Sequence, residues 1–181
     1  APGNSQRVVA GTSEGDVYRS EEALIADGAT DWESTRPRAG FVTSLAFEPG
    51  SQDVIYATYA GFGGLHLWRS EDFGRTWEAL DGDGPRSIPD IPVHSVVIDP
   101  DNVDRIYLGT DLGVLTSKNR GRTWAVENTG FANVVTEWLT IGDGPGGQPR
   151  LFAFTHGRGA WRVDLSPTPD APRETTGRVT P

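Results

Sequence analysis

The amino-acid sequence predicts an all-β chain assembled from repeats of a short four-stranded antiparallel unit. Three observations predict it. An eight-residue word, "SEDFGRTW" at 70–77, returns at 117–124 as "SKNRGRTW". Apolar residues alternate at period two between turns rich in Gly, Pro, Asp and Asn. No stretch sustains the 3.6-residue rhythm of a helix.

The units follow from these repeats. Four segments share a β-rich run, a threonine, a glycine-containing turn and a second β run: 7–20, 53–70, 104–117 and 149–163. Thr12, Thr58, Thr110 and Thr155 are expected at the equivalent place in each. Three are preceded by another alternating run, "VTSLAFEPGS" (42–51), "VHSVVIDPDN" (93–102) and "TEWLTIGDGPGG" (136–147). The eight-residue word, or a trace of it, follows the first three, and "SEEALIADGATDW" (20–32) reads as the word with an insertion. The repeat is therefore four strands, A to D, over about 45 to 51 residues, the mark of a β-propeller in which each sheet is one blade.

Counting strands gives B-C-D, A-B-C-D, A-B-C-D and A-B-C, about three and a half blades. Their expected extents are about 7–35, 41–80, 93–127 and 135–165, within one partial propeller over 1–165. The Pro-rich segment 166–181 reads as a linker or disordered tail. With no methionine anywhere, the chain is expected to be a processed or excised product. Half a ring leaves strand edges and sheet faces open, so the expected partner is the remaining blades of a parent protein or a second copy.

The repeated word has a structural task at every position. Between strands C and D it must make a tight turn, where Gly74 and Gly121 can take positive φ. Asp72 and Asn119 can accept backbone N–H groups, and Ser70, Thr76, Ser117 and Thr123 can close the turn with hydroxyls. Trp77 and Trp124 open strand D and are expected to wedge between blades. Asn119 standing where Asp72 stands suits a turn and not an acid catalyst.

Composition excludes several functions. A net charge of −9 argues against nucleic acid and anionic membranes as partners. Without cysteine there is no disulfide framework and no thiolate chemistry, and three scattered histidines give no zinc pattern. The Asp-rich turns at 81–84 and 99–104 could bind calcium weakly, but they lack the distal Glu of an EF-hand and suit ordinary turn chemistry, so no metal and no cofactor is expected. No apolar run approaches the length of a membrane helix.

Ser-x-Asp-x-Gly-x-Thr-Trp at Ser70–Trp77 resembles the Asp-box, or BNR repeat, of sialidases, xyloglucanase-type glycoside hydrolases, sortilin-like receptors and many bacterial secreted propellers. Ser117–Trp124 is similar, Ser20–Trp32 is degenerate, and "FTHGRGAWRVDL" (154–165) looks like a closing blade of such proteins. The resemblance implies a propeller and an extracellular or periplasmic location. It implies no single function, because the family holds enzymes, receptors and assembly factors alike.

It also implies that ligands sit at the end opposite the Asp-boxes, on the B–C turns and D–A connections. There Arg38, Arg86 and Arg158 could meet an anion, and Phe62, His66, His156 and Phe131 could form a stacking platform beside Asp111. The competing reading is that the arginines are solvated or ion-paired and the histidines cap turns. Asp90, Asp111, Glu127 and Glu137 lie near the same end, but no spacing singles out a carboxylate pair for glycoside hydrolysis. The Arg-Ile-Pro word of sialidases is interrupted at "PRSIP" (85–89). The expectation is a non-catalytic binding or scaffold module engaging a glycan or protein. The alternative is a fragment of a xyloglucanase- or sialidase-like hydrolase.

Overall fold

The structure, a computed structural model, describes residues 1–82, 84–127 and 133–165. Phe131 and the tail from Ser166 lie outside the described residues. Among the described residues, fourteen strands form four antiparallel sheets in strict chain order, with two short 3₁₀ turns at Gly84–Arg86 and Pro145–Gly147. The first sheet is β1 (Val8–Gly11), β2 (Val17–Ser20) and β3 (Glu33–Thr35). The second is β4 (Val42–Phe47), β5 (Ile55–Tyr59), β6 (Leu67–Ser70) and β7 (Glu78–Ala79). The third is β8 (Val93–Ile98), β9 (Ile106–Thr110), β10 (Gly113–Ser117) and β11 (Ala125–Glu127). The fourth is β12 (Thr136–Asp143), β13 (Pro149–Thr155) and β14 (Gly159–Asp164). This is the portion of a β-propeller that the repeats predict.

Each sheet packs on the next, so the core is divided into three clusters between sheets. Val17, Val42, Ala57 and Tyr59 join the first two. Tyr56, Leu67, Val96, Ile106, Leu115 and Trp124 join the second and third. Tyr107, Val114, Leu139, Leu151 and Ala153 join the third and fourth. Strands β5, β9 and β10 are buried along their whole length because neighbouring sheets cover both their faces. That is why "IYATY" and "IYLGT" read as near-continuous apolar runs, whereas β14 alternates little and is mostly exposed. Between the second and third sheets, buried Glu48 accepts from the Tyr56 hydroxyl (2.9 Å) and from Arg120 Nη2 (2.7 Å). Burial, then the neighbouring Glu48 charge, push the Tyr56 phenol up to about 12.

The register corrects one sequence equivalence. Pairing the strands through Ser20, Ser70 and Ser117 sets Val8, Ile55 and Ile106 opposite them. Thr12, Thr110 and Thr155 then share a position with Tyr59, and Thr58 falls one residue earlier, level with Gly11, Gly109 and Phe154. A shift of one residue reverses the face a side chain occupies.

The innermost strands share a further feature. In β4, β8 and β12 the pairing slips once, between Val42 and Ser44, Val93 and Ser95, and Thr136 and Trp138. Thr43, His94 and Glu137 are therefore the bulged residues, at one level on three successive sheets. A bulge re-aims the side chain it carries.

Candidate functional site

The two Asp-boxes are closed hydrogen-bond networks. In the first, Ser70 Oγ donates to Asp72 Oδ1 (2.8 Å) and accepts from Gly74 N (2.7 Å). Asp72 also accepts from Arg75 N, Thr76 N and Thr76 Oγ1 at 3.0, 2.8 and 2.7 Å. Burial pushes the Asp72 carboxyl up, but these bonds outweigh it and hold it at about 2 against an ordinary 3.8. In the second box Asn119 Oδ1 accepts from Ser117 Oγ and Thr123 N, both at 3.0 Å, and its Nδ2 donates to Thr123 Oγ1 (2.9 Å). The amide thus keeps the bonds from the serine hydroxyl and the threonine N–H, and reverses the threonine hydroxyl bond by donating to it.

Gly74 and Gly121 have φ of 79° and 86°, as a tight turn requires. The residue before each glycine is also left-handed, Phe73 at 58° and Arg120 at 61°. The reward for that strain is a bond from each N–H to the A–B turn of its own sheet, Phe73 N to Asp53 O (2.8 Å) and Arg120 N to Asp104 O (2.9 Å). The degenerate word keeps its opening serine, whose Oγ accepts from Glu22 N (3.1 Å). Its inserted residues form a separate turn in which Asp27 Oδ1 accepts from Ala29 N (2.9 Å).

The opposite end of the sheets is chemically open. The B–C turns and D–A connections meet there: Ala60 N donates to Phe41 O (3.0 Å) and His156 N to Val135 O (2.9 Å). Each histidine of the chain is paired with a carboxylate at this end. His94, on its bulge, reaches Asp111 in the β9–β10 turn at 2.7 Å. Glu137, on the next bulge, reaches His156 in the β13–β14 turn at 2.9 Å. Thr43 holds the same level on the second sheet, bonding Thr58 Oγ1 (2.9 Å) and Val93 O (2.6 Å).

The third pair is buried. His66 Nδ1 lies 3.0 Å from Asp81 Oδ2, and Asp81 also accepts from His66 N and Leu67 N at 2.8 and 2.9 Å. An acceptor-only carboxylate at Nδ1 places a proton on that nitrogen. His66 Nε2 makes no hydrogen bond and has Asp90 Oδ1 3.3 Å away, while Asp90 Oδ1 accepts from Gly63 N (2.7 Å). On the other side of the same turn, Arg38 Nη1 donates to Leu65 O (2.8 Å) and its guanidinium stands over Tyr59. The β5–β6 turn is therefore gripped from both sides and presents Phe62 (67% exposed) and Leu65 to solvent.

The structure joins some of the expected site residues and separates others. Arg38, Phe62 and His66 share the β5–β6 turn; Asp111 belongs to the next sheet, and His156 and Arg158 to the fourth. No contact joins Arg38, Arg86 and Arg158 among the described residues. Arg86 lies elsewhere: its carbonyl accepts from Trp124 N (2.8 Å), so its backbone runs along the second Asp-box. Sequence reasoning did not single out His94 or Asp81, nor Glu137 as a bulge residue. The aligned "VTS", "VHS" and "TEW" carry the only trace of the bulges, and a bulge has no residue signature of its own here. Below this polar level the innermost strands line an open pocket of about 300 Å³, walled by Phe47, Val96, Val97, Thr140 and Ile141.

Comparison with known proteins agrees with this architecture. The BNR-Asp box repeat family matches residues 67–80. Curated protein sequences give no match. Among solved structures the chain is similar to an ancestral GH74 enzyme, at 25% identity and TM-score 0.57 over 85% of this chain and 21% of that one. It is similar to the Niastella koreensis GH74 enzyme at 18% identity and TM-score 0.60, covering 90% of this chain and 22% of that one. For the GH74 xyloglucanase from Xanthomonas campestris the values are 18% and 0.62, covering 96% and 31%. The chain thus spans between about a fifth and a third of the length of these proteins. By its repeat and by its fold, the chain is similar to the Asp-box β-propellers.

Proposed function

We propose that the chain is a non-catalytic binding and scaffold module, part of a larger secreted Asp-box propeller whose ring further sheets complete. Its B–C turn end engages a glycan or protein partner. The observation that carries this reading is the contrast between the two ends. At the Asp-box end Ser70, Asp72, Thr76, Ser117, Asn119 and Thr123 are committed to internal bonds. The turn end exposes Phe41, Phe62, Leu65 and Leu112 beside half-open His94–Asp111 and His156–Glu137 pairs. Each such pair offers both a donor and an acceptor next to an apolar surface, the composition of a recognition site. Its carboxylates already have partners, which suits recognition better than proton transfer.

Binding to a glycan array and to candidate extracellular proteins tests this. Phe62→Ala with Asp111→Asn should weaken a captured ligand by at least about tenfold with stability kept. Undiminished binding would place the site elsewhere. The alternative, a glycoside hydrolase fragment, is favoured by the similarity to GH74 enzymes and by Asp111 and Glu137 standing on adjacent sheets at this end. Turnover of xyloglucan or sialyl substrates that Asp111→Asn or Glu137→Gln abolishes would replace the binding reading with this one.

A further inference from the structure

His66 Nε2 is a buried nitrogen without a hydrogen bond. The residue is 1% exposed, and its Nδ1 proton is committed to Asp81 Oδ2 at 3.0 Å. Nε2 therefore carries a lone pair, and the atom it faces, Asp90 Oδ1 at 3.3 Å, is an acceptor as well. Two acceptors held this close with no proton between them gain nothing, and a buried nitrogen left unpartnered is destabilising. One proton on Nε2 removes both faults. The ring becomes an imidazolium that donates to Asp81 through Nδ1 and to Asp90 through Nε2, in two charge-assisted bonds that need only a small closure of the second contact.

That second bond crosses between segments. His66 stands at the root of the β5–β6 turn, Gly63 at its middle, and Asp90 in the connection that leads into β8. Asp90 Oδ1 already accepts from Gly63 N at 2.7 Å. With His66 protonated, one carboxylate holds the turn at two points; with His66 neutral, the Gly63 bond acts without it. We propose that His66 is a proton-operated latch: acid ties the β5–β6 turn to Asp90, and a rise in pH releases it. The turn carries Phe62 and Leu65, so their exposed apolar surface is fixed in acid and loosened at higher pH. The consequence for a ligand rests on the reading that this end binds one; the latch itself does not. The other titratable and charged groups around the turn hold their state or face elsewhere. Arg38, which donates to Leu65 O, and Arg86, in the 3₁₀ turn between the two aspartates, stay charged throughout. Burial pushes the phenol of Tyr59, beneath Arg38, up to about 12, so it stays neutral. Asp16 of the first sheet is paired with Arg36 (2.7 Å), and His94 of the third is turned to Asp111.

Amide exchange of the full 181-residue chain tests this, followed by NMR and corrected for the intrinsic rate at each pH. The interval runs from about pH 8 to about pH 5, where imidazoles ordinarily change charge. In wild type, protection of the Gly63 amide should rise at least about tenfold towards the acid end, the worth of one added charge-assisted bond. Tyr59 N, which donates to His66 O at 3.0 Å, reports opening of the sheet itself and should keep its protection. The Nε2 signal of His66 should move from unprotonated to protonated nitrogen over the same interval. Asp90→Asn keeps an acceptor for Gly63 and removes the charge, and should leave less than about a twofold change. Circular dichroism matching wild type confirms folding, and Asp90→Ala serves if the Asn variant is unfolded. Gly63 protection that is flat in wild type overturns the latch, as does a pH dependence that survives in the Asp90 variant or an Nε2 that stays unprotonated to the acid end. Ligand affinity alone would not identify the switch, because His94 and His156 border the same end. A Gly63 switch in a chain that captures no ligand supports the latch and sinks only the binding reading; a captured ligand without the switch sinks only the latch.

Discussion

The indole N–H of Trp77 donates to the hydroxyl of Thr35, 2.9 Å away on the preceding sheet. Trp124 repeats the contact one sheet later, donating to Leu80 O at 3.0 Å. Each Asp-box tryptophan therefore ties its own sheet to the outer strand of the one before. The first bond is part of a knot: Thr35 Oγ1 donates to Gly74 O (2.7 Å), which also takes Arg19 Nη1 (3.2 Å). The box joins sheets as well as closing a turn.

The two tryptophans should differ in weight. Trp124 is buried in the cluster between the second and third sheets, whereas Trp77 is only partly buried. Trp124→Ala should cost about 3–5 kcal/mol and Trp77→Ala about 2–3 kcal/mol, read from urea unfolding midpoints. Equal losses would mean that burial does not set their contribution.

Asp72 should make stability depend on acid. Its carboxyl titrates at about 2 in the folded chain against an ordinary 3.8, so the folded state favours the ionised form. That contribution is fully present above about pH 4 and is lost as pH falls toward 2. Asp72→Asn copies the second box and should cost less at neutral pH than Asp72→Ala, for which about 1–2 kcal/mol is expected. The Asn variant should lose less stability than wild type between pH 4 and 2. Parallel thermal midpoints for the two proteins over that window would refute the assignment.

The glycine seats should tolerate no side chain. Gly109→Ala places a methyl 2.6 Å from a backbone oxygen of the next sheet and should cost about 1–3 kcal/mol. Gly28→Ala has nothing within 4 Å and serves as the control, with an expected change of a few tenths in either direction. Comparable losses at both positions would show that sheet spacing is not the cause.

The grip on the β5–β6 turn should be asymmetric. Asp81 is buried and accepts two backbone N–H bonds besides the imidazole, so Asp81→Ala should cost about 2–4 kcal/mol by stranding buried donors. Asp90 is more than half exposed, and Asp90→Ala should cost under about 1 kcal/mol while raising hydrogen exchange at Gly63. A protected Gly63 amide in that variant would show that the turn is held from elsewhere.

Strand number, strand order and the place of both Asp-boxes were legible because they rest on local signals. Alternation at period two marks a strand, Gly at a fixed offset marks a turn, and a repeated Ser-x-x-x-Gly-x-Thr-Trp word marks a unit. Even the reading of Asn119 as a turn residue follows from what an amide can donate and accept. The site was less legible. Thr43, His94 and Glu137 look unrelated in sequence; a one-residue slip in pairing, set by the neighbouring strand, brings them to one level. His66 and Asp81 are 15 residues apart, and only the antiparallel return of β7 along β6 brings them together. Local pattern chose the elements, and contacts between sheets, made by residues distant in sequence, chose which side chains meet.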